Sequence, residues 1–165
     1  AIWKGFKEFH ILGLIKSLPR MVGTQGEGAA PVVMAFEGNK QFHEIEEFEP
    51  ATIADALCIG RVLGPWPLNA IKESNGHAVA VSDNEILEAQ KSLAAKEGVF
   101  VEPSSATTIA GLKKLLGKRV ITSNESVVCV TTGSGLKVLE AASKVYAKPV
   151  LIEPDMGELE KVLSR

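Results

Sequence analysis

Short apolar segments alternate with helical segments in this sequence, and that alternation is the feature that most constrains its fold. HAVAVS at residues 77–82 predicts a strand, and Ser82 followed three residues later by Glu85 is a capping box that begins a helix. GVFVEP at residues 98–103 predicts another strand, and the helix after it is expected to be capped at Gly117. The sequence therefore predicts an α/β fold, with a mostly parallel sheet and helices on both faces.

The remaining predicted elements extend the same pattern over the whole chain. A first amphipathic helix is expected to continue to Pro19, and another helix is expected to begin at Pro31. A last helix is expected to be capped by Asp155. The other predicted strands are RMVGTQ at 20–25, SVVCVTT at 126–132 and PVLIE at 149–153, and the other predicted helices are TIADALCIG at 52–60 and WPLNAIKES at 66–74.

Composition and charge exclude several classes of protein. A chain of 165 residues, 45% hydrophobic and 23% charged, is expected to be one globular domain with its own core. The net charge of −2 gives no electrostatic reason to expect nucleic acid or a membrane as a partner. No apolar run approaches the roughly 18 residues of a membrane span, so a cytoplasmic location is expected. Cys58 and Cys129 lie in apolar stretches, which predicts buried reduced thiols and no metal site.

Two of the predicted strands end in clusters of small polar residues, VEPSSAT at 101–107 and TTGSG at 131–135. In a parallel sheet, ligands bind outside the carboxyl ends of the strands. Ser104, Ser105 and the free N–H groups of a helix start suit an anion, while a threonine hydroxyl suits a ligand nitrogen. The alternative is that these residues only cap helices and form turns. The residue pattern alone therefore predicts a ligand-binding α/β domain and no particular reaction.

Three strings in order along the chain carry a resemblance to a known family: QGEGAAP at 25–31, GVFVEPSSA at 98–106 and TGSGLK at 132–137. Together they resemble threonine synthase, a pyridoxal-phosphate enzyme of the tryptophan-synthase-β-like, fold type II superfamily. The resemblance implies the C-terminal portion of such an enzyme. It also implies conversion of O-phospho-L-homoserine and water to L-threonine and phosphate, with pyridoxal 5'-phosphate as the electron sink.

The resemblance also implies which residues bind the cofactor. Thr132 matches the family threonine whose hydroxyl bonds the pyridine nitrogen, and a neutral hydroxyl does not favour protonation of that nitrogen. Gly133 and Gly135 are expected to let the backbone approach the ring, and Ser134 stands where many members have His or Asn. The other expected cofactor-binding residues are Glu102 and Ser104, with Ser105 beside them, in the cofactor cleft, and Gly28 and Ala29 in the turn that faces the ring.

Two parts of the family pattern find no match in this sequence. The lysine that carries the cofactor lies in an S-x-K-D-R-like motif, and an asparagine- and glycine-rich phosphate loop normally precedes a helix that begins like IWKGFKEF. No catalytic residue is therefore predicted in this chain. Residues 1–165 are expected to form a single C-terminal cofactor-binding domain fragment that binds the cofactor weakly alone and catalyses nothing. The expected partners are the missing N-terminal part or a companion chain, and further copies in a homo-oligomer.

Two alternatives remain open from the sequence. One is a sibling enzyme, similar to threonine dehydratase or cysteate synthase, because the residues that choose the substrate lie in the unmatched part. The other is a non-catalytic remnant of the fold that acts as a protein-interaction module. TGSGLK favours threonine synthase over the siblings, and the absent lysine favours inactivity of the isolated chain.

Overall fold

The computed structural model describes residues 1–139 and 150–164. Within these residues no helix is long and apolar enough to cross a membrane. The strands are β1 (Val22–Gly26) and β2 (His77–Val81), and the helices are α1 (Ile2–Ile11), α2 (Pro31–Glu37), α3 (Trp66–Glu73), α4 (Asp83–Glu97), α5 (Pro103–Gly117) and α6 (Met156–Leu163).

The two strands pair in parallel, with Val22 opposite His77 and Gly26 opposite Val81. The side chains of a strand point alternately to its two faces, so one strand can serve two separate clusters. On one face of β2, Ala78 packs with residues of α2 and α3. On the other face, Val79 and Val81 pack with residues of α4, α5 and the segment that follows α5. The predicted α/β arrangement, with helices on both faces of a parallel sheet, is confirmed.

Helix α4 has the termini that the sequence predicts. The Ser82 hydroxyl accepts from the Glu85 N–H at 3.2 Å, and the Glu85 carboxylate accepts from the Ser82 N–H at 2.7 Å. Gly98 ends the helix in the left-handed conformation with φ of 68°, which costs a glycine little. The beginning of α2 at Pro31 and the position of α3 are also confirmed. Asp155 caps α6 by accepting from the Glu158 N–H at 3.1 Å.

Helix α5 packs across both strands. Gly111 faces the sheet, and a Cβ at this position would overlap the side chain of Thr24 in β1 and press against Val79 in β2. The hydroxyls of Thr24 and Thr107 also lie 3.0 Å apart. The prediction that Gly117 caps this helix is wrong by one position, because Gly117 is its last helical residue and Lys118 is the cap.

Three predicted strands are not formed in the described residues. Residues 98–103 contribute only an isolated antiparallel bridge between Val101 and Ser134. Residues 126–132, the most hydrophobic of the predicted strands, are assigned to neither strand nor helix. The same holds for 150–153 of the PVLIE string, whose Pro149 lies outside the described residues. A strand forms only where a second strand supplies a run of hydrogen bonds. Residues 98–103 have one bridge only, and in the described part of the chain the other two segments pair with no strand.

Two predicted helices differ from the structure, and so does the burial of the cysteines. Residues 52–60 contain only a short 3₁₀ turn, Asp55–Leu57, because the preceding backbone is held by hydrogen bonds to Asp83. Helix α1 stops well before Pro19, since Gly13 turns left-handed with φ of 72°. Cys58 and Cys129 are free thiols as predicted, but each is half-buried where full burial was expected.

Candidate functional site

The two polar clusters predicted at strand ends lie side by side in the structure. The Glu102 N–H donates to the Gly133 carbonyl at 2.9 Å, and the Gly135 N–H donates to the Phe100 carbonyl at 3.0 Å. The Val101–Ser134 bridge lies between these two bonds. The start of α5 and the TTGSG segment therefore form one unit, although about 30 residues separate them along the chain.

Ser105 is the centre of this unit. It is 1% exposed, and its hydroxyl oxygen accepts from the N–H groups of Thr132 and Gly133, both at 2.9 Å. The same oxygen lies 3.1 Å from the Thr132 hydroxyl oxygen. Helix α5 has no side-chain cap at its start, so Ser105 does not act as the simple cap that the sequence left open. It holds the backbone of the TTGSG segment instead.

Thr132 is an exposed residue, in contrast to the buried Ser105. Ser134 is also exposed, and its hydroxyl accepts from the Leu136 N–H at 3.3 Å, as a local cap. Ser104 is buried, and its carbonyl accepts from the Thr107 hydroxyl at 2.7 Å. The structure thus brings Glu102, Ser104, Thr132, Gly133 and Ser134 into one region, in which Thr132 and Ser134 are exposed.

The glycines of TTGSG make room for side chains of the protein itself. A Cβ on Gly133 would overlap the Glu102 carboxylate, and a Cβ on Gly135 would overlap the Phe100 ring. Glycine at these positions lets the segment lie directly against the start of α5. The sequence predicted close approach of these glycines to a ligand ring, and the structure adds this internal reason for having no side chain.

Gly28 and Ala29 lie in a separate turn at the end of β1. The Gly28 carbonyl accepts from the Ala51 N–H at 2.9 Å, and a Cβ on Gly28 would overlap the Ala51 carbonyl. Ala29 is fully buried. In the described residues no hydrogen bond joins this turn to Thr132 or Ser105, so the predicted cofactor-binding residues form two groups.

A segment that the sequence analysis misread as a helix connects the two groups. Ala51 holds the Gly28 turn, while Ala54 is fully buried in the same cluster as Val101 and Ala106 of the first group. The Thr52 hydroxyl donates to Asp83 at 2.6 Å, which fixes the segment to the beginning of α4. No local signal in TIADALCIG indicates this role, because the partner of Thr52 is 31 residues away.

Lys114 of α5 adds a charged connection that the sequence analysis also missed. Its ammonium lies 3.1 Å from the carboxylates of both Glu27 and Glu85. Partial burial works to lower the pKa of Lys114, but the two carboxylates outweigh it and raise the pKa above its usual value. Partial burial works to raise the pKa of Glu85, but the Ser82 N–H and the Lys114 ammonium outweigh it and lower the pKa. The turn after β1 and the start of α4 are thereby held to α5.

A cavity of about 730 Å³ lies at the opposite end of the strands. Its lining includes Val22 and His77, the first residues of β1 and β2, together with Thr108 of α5 and Cys129. Burial raises the pKa of the Cys129 thiol despite its hydrogen bond with Thr108. In the described ranges no group of three or more metal-binding side chains occurs. Because the cavity does not include Thr132, it is distinct from the candidate site.

Comparison with protein families shows which family the chain belongs to. The family described as "Pyridoxal-phosphate dependent enzyme" matches residues 1–133. The chain belongs to this family. The match includes the start of α5 as well as Thr132 and Gly133, and its members use pyridoxal phosphate as cofactor.

Several curated relatives in the family carry the name threonine synthase. That of Methanocaldococcus jannaschii is 53% identical over 165 residues, and that of Methanosarcina acetivorans is 44% identical over 164 residues; each alignment covers 99% of this chain and 40% of the relative. The threonine synthase of Mycobacterium tuberculosis is 44% identical over 158 residues, with 93% of this chain and 41% of the relative covered. The chain thus spans about 40% of the length of the curated relatives it matches.

Solved structures agree with the family at the level of the fold. The processed form of threonine deaminase isoform 2 from Solanum lycopersicum has a TM-score of 0.61 at 20% identity, covering 99% of this chain and 40% of that one. A fungal L-serine ammonia-lyase from Rhizomucor miehei has a TM-score of 0.65 at 21% identity, covering 88% and 45%. This likeness confirms the predicted α/β fold and leaves the substrate open.

Proposed function

We propose that this chain is part of a threonine synthase, which converts O-phospho-L-homoserine and water to L-threonine and phosphate with pyridoxal phosphate. The observation that carries the proposal is the 53% identity to a threonine synthase over 99% of the chain. The solved threonine deaminase has the same fold but only 20% identity. A sibling activity is therefore the second candidate, favoured by fold likeness alone.

The chemistry of Thr132, which Ser105 of α5 holds, fits the pyridine ring of the cofactor. Thr132 is exposed, its backbone is held by the buried Ser105, and it offers a neutral hydroxyl to the ring nitrogen. When bound, pyridoxal phosphate supplies the electron sink that the elimination of phosphate and the addition of water require. A hydroxyl hydrogen bond does not drive protonation of the ring nitrogen as a carboxylate would. Thr132 thus orients the ring while leaving that nitrogen neutral.

The other proposed cofactor-binding residues surround this contact from two directions. Glu102, Ser104, Gly133 and Ser134 lie beside Thr132, in the segments joined by the Val101–Ser134 bridge. Gly28 and Ala29 lie in the turn that the backbone of Ala51 holds. We assign Gly133 to the ring edge, Glu102 and Ser104 to the cofactor cleft, and Gly28 and Ala29 to the turn that faces the ring.

We further propose that residues 1–165 are the C-terminal cofactor-binding portion of the enzyme. The lysine that carries the cofactor and the loop that holds its phosphate would then come from a part of the protein outside this sequence. Support comes from the 40% coverage of the relatives and from the absence of an S-x-K-D-R-like motif in the sequence. A homo-oligomeric assembly and a cytoplasmic location remain predictions from the sequence.

A chimera tests the proposed activity. These 165 residues replace the matched segment of the Methanocaldococcus jannaschii threonine synthase, and threonine and phosphate are measured after addition of O-phospho-L-homoserine. We expect both products from the chimera and neither from the isolated chain. Thr132→Val in the chimera, which replaces the hydroxyl by a methyl group of similar size, is expected to reduce the rate.

Other outcomes would contradict the proposal in distinguishable ways. A chimera that deaminates L-threonine and forms none from O-phospho-L-homoserine would support a threonine dehydratase-like sibling. A chimera that folds and binds the cofactor but processes neither substrate would support a non-catalytic remnant. Threonine made by the isolated chain would show that the carrier lysine lies within these residues after all.

A further inference from the structure

The hydroxyl of Ser105 has three polar neighbours, and their chemistry determines where its proton points. The N–H groups of Thr132 and Gly133 lie 2.9 Å from its oxygen, and the Thr132 hydroxyl oxygen lies 3.1 Å away. A backbone N–H can only donate, whereas a hydroxyl oxygen accepts two hydrogen bonds and donates one. The two N–H groups therefore occupy both acceptor positions of Ser105.

The Ser105 hydroxyl still has its proton to donate, and the third contact, with the Thr132 hydroxyl oxygen, can receive it. If Thr132 donated to Ser105, three donors would compete for two lone pairs, so Ser105 donates to Thr132. The Thr132 hydroxyl then accepts a hydrogen bond from the Ser105 hydroxyl, and its own proton remains available to donate to a ligand. A hydroxyl that accepts a hydrogen bond is polarised and becomes a stronger donor. The exposed side of Thr132 thus presents a strengthened donor.

We propose that Ser105 is a positioning residue that fixes the direction of the Thr132 proton toward the ligand. The inference rests on the proposed function, in which Thr132 faces the pyridine nitrogen of the cofactor. Ser105 is 1% exposed, so its hydroxyl reaches the ligand through the Thr132 hydroxyl and does not contact the ligand itself. A donor held in this direction favours the unprotonated ring nitrogen, which can only accept. Ser105 thereby selects the protonation state of the bound ring.

Amide hydrogen exchange in the isolated chain provides the first test, and it needs no cofactor. Ser105→Ala removes the acceptor of two N–H groups, so exchange at Thr132 and Gly133 is expected to accelerate roughly 2- to 12-fold. Thr108→Val is the matched control, because Thr108 lies on the same helix and contacts the Ser105 carbonyl, at 2.8 Å, and the Cys129 thiol, whereas the N–H groups of Thr132 and Gly133 are held by the Ser105 hydroxyl. Unchanged exchange at Thr132 and Gly133 in Ser105→Ala would overturn the proposal.

The second test reads the ring nitrogen directly in the chimera loaded with ¹⁵N-labelled pyridoxal phosphate. Ser105→Ala is expected to move the ¹⁵N chemical shift of the ring in the same direction as Thr132→Val. That direction is toward the shift of a ring nitrogen that accepts no hydrogen bond. In the Thr132→Val background, adding Ser105→Ala is expected to produce no further shift, because Ser105 acts through the hydroxyl already removed. Ser105→Cys, with a weaker donor and acceptor, is expected to give an intermediate shift and serves if the alanine variant does not fold.

The outcomes separate this inference from the proposed function. If Thr132→Val moves the signal and Ser105→Ala does not, the positioning role is wrong while the proposed function stands. Additive shifts in the double variant would also overturn it, because they would show a general structural effect of Ser105. If the chimera forms no threonine but the shifts follow the expected pattern, the positioning role stands and the proposed substrate is wrong. If Thr132→Val leaves the signal unmoved, the assignment of Thr132 and this inference fail together.

Discussion

Strand β2 and residues 126–132 are similar in sequence and differ in structure. Both are apolar and rich in valine, as HAVAV and VVCV show. Strand β2 pairs with β1 and has both faces packed, whereas residues 126–131 make no backbone–backbone hydrogen bond among the described residues. The exposed fractions are 3% for Val79 and 89% for Val128. The comparison teaches that an apolar, valine-rich segment forms a strand only where neighbouring segments pair with it and pack against it. The sequence of the segment alone does not reveal those neighbours.

The largest expected effect lies in the packed region. Ile86 of α4 is fully buried against Val81 and Ala110, so Ile86→Ala leaves a cavity where a side chain was. We expect the free energy of unfolding of the chain to fall by about 2–5 kcal/mol. Urea unfolding followed by circular dichroism measures it. A loss below about 1 kcal/mol would mean that this region is no better packed than residues 126–132.

The next effect concerns the cap of α4. Ser82→Ala removes the acceptor for the Glu85 N–H, and we expect it to lower the free energy of unfolding by about 0.5–2 kcal/mol. Ser126→Ala is the matched control, because Ser126 is exposed in the unpaired segment and is expected to change little. Equal losses of the free energy of unfolding in the two variants would show that the cap of α4 stabilises the fold no more than an exposed serine in the unpaired segment does.

The elements that the sequence predicts correctly are those set by residues close together in the chain. The beginning of α4 was predicted because Ser82 and Glu85 are three residues apart, and β2 was predicted from its own apolar pattern. The contact of Ser105 with Thr132 spans 27 residues, and that of Lys114 with Glu27 spans 87. Local patterns mark such residues as polar and small, or as charged, but they do not say which partner each one meets.

A smaller effect depends on pH. Partial burial works to raise the pKa of Glu85, but the Ser82 N–H and the Lys114 ammonium outweigh it and lower the pKa, so these contacts stabilise the fold above the usual glutamate pKa of 4.5. That contribution disappears as the pH falls through the lower folded-state pKa. The pair is partly exposed, so we expect Glu85→Gln to cost less than about 1 kcal/mol at pH 7 and nothing at strongly acid pH. Unfolding measured from pH 7 to pH 2 checks this, and a cost that does not vary with pH would contradict it.

The smallest effect is expected in the unpaired segment. Val128 is 89% exposed, so Val128→Ala removes methyl groups that water already contacts. We expect the free energy of unfolding of the isolated chain to change by less than about 0.5 kcal/mol. The same urea experiment as for Ile86→Ala gives the answer. A large loss would show that residues 126–132 are packed in solution and would break the comparison.

The missing side chain of Gly111 fixes how closely α5 lies on the sheet, and the helix carries that spacing to its other end. Ser105 is six residues before Gly111, about 9 Å along the helix axis. A methyl group added at Gly111 would push on Thr24 and tilt a nearly rigid rod, so the Ser105 hydroxyl would move relative to Thr132. The position of the Ser105 hydroxyl thus depends on a glycine on the far part of the same helix, whose own neighbours are Thr24 and Val79.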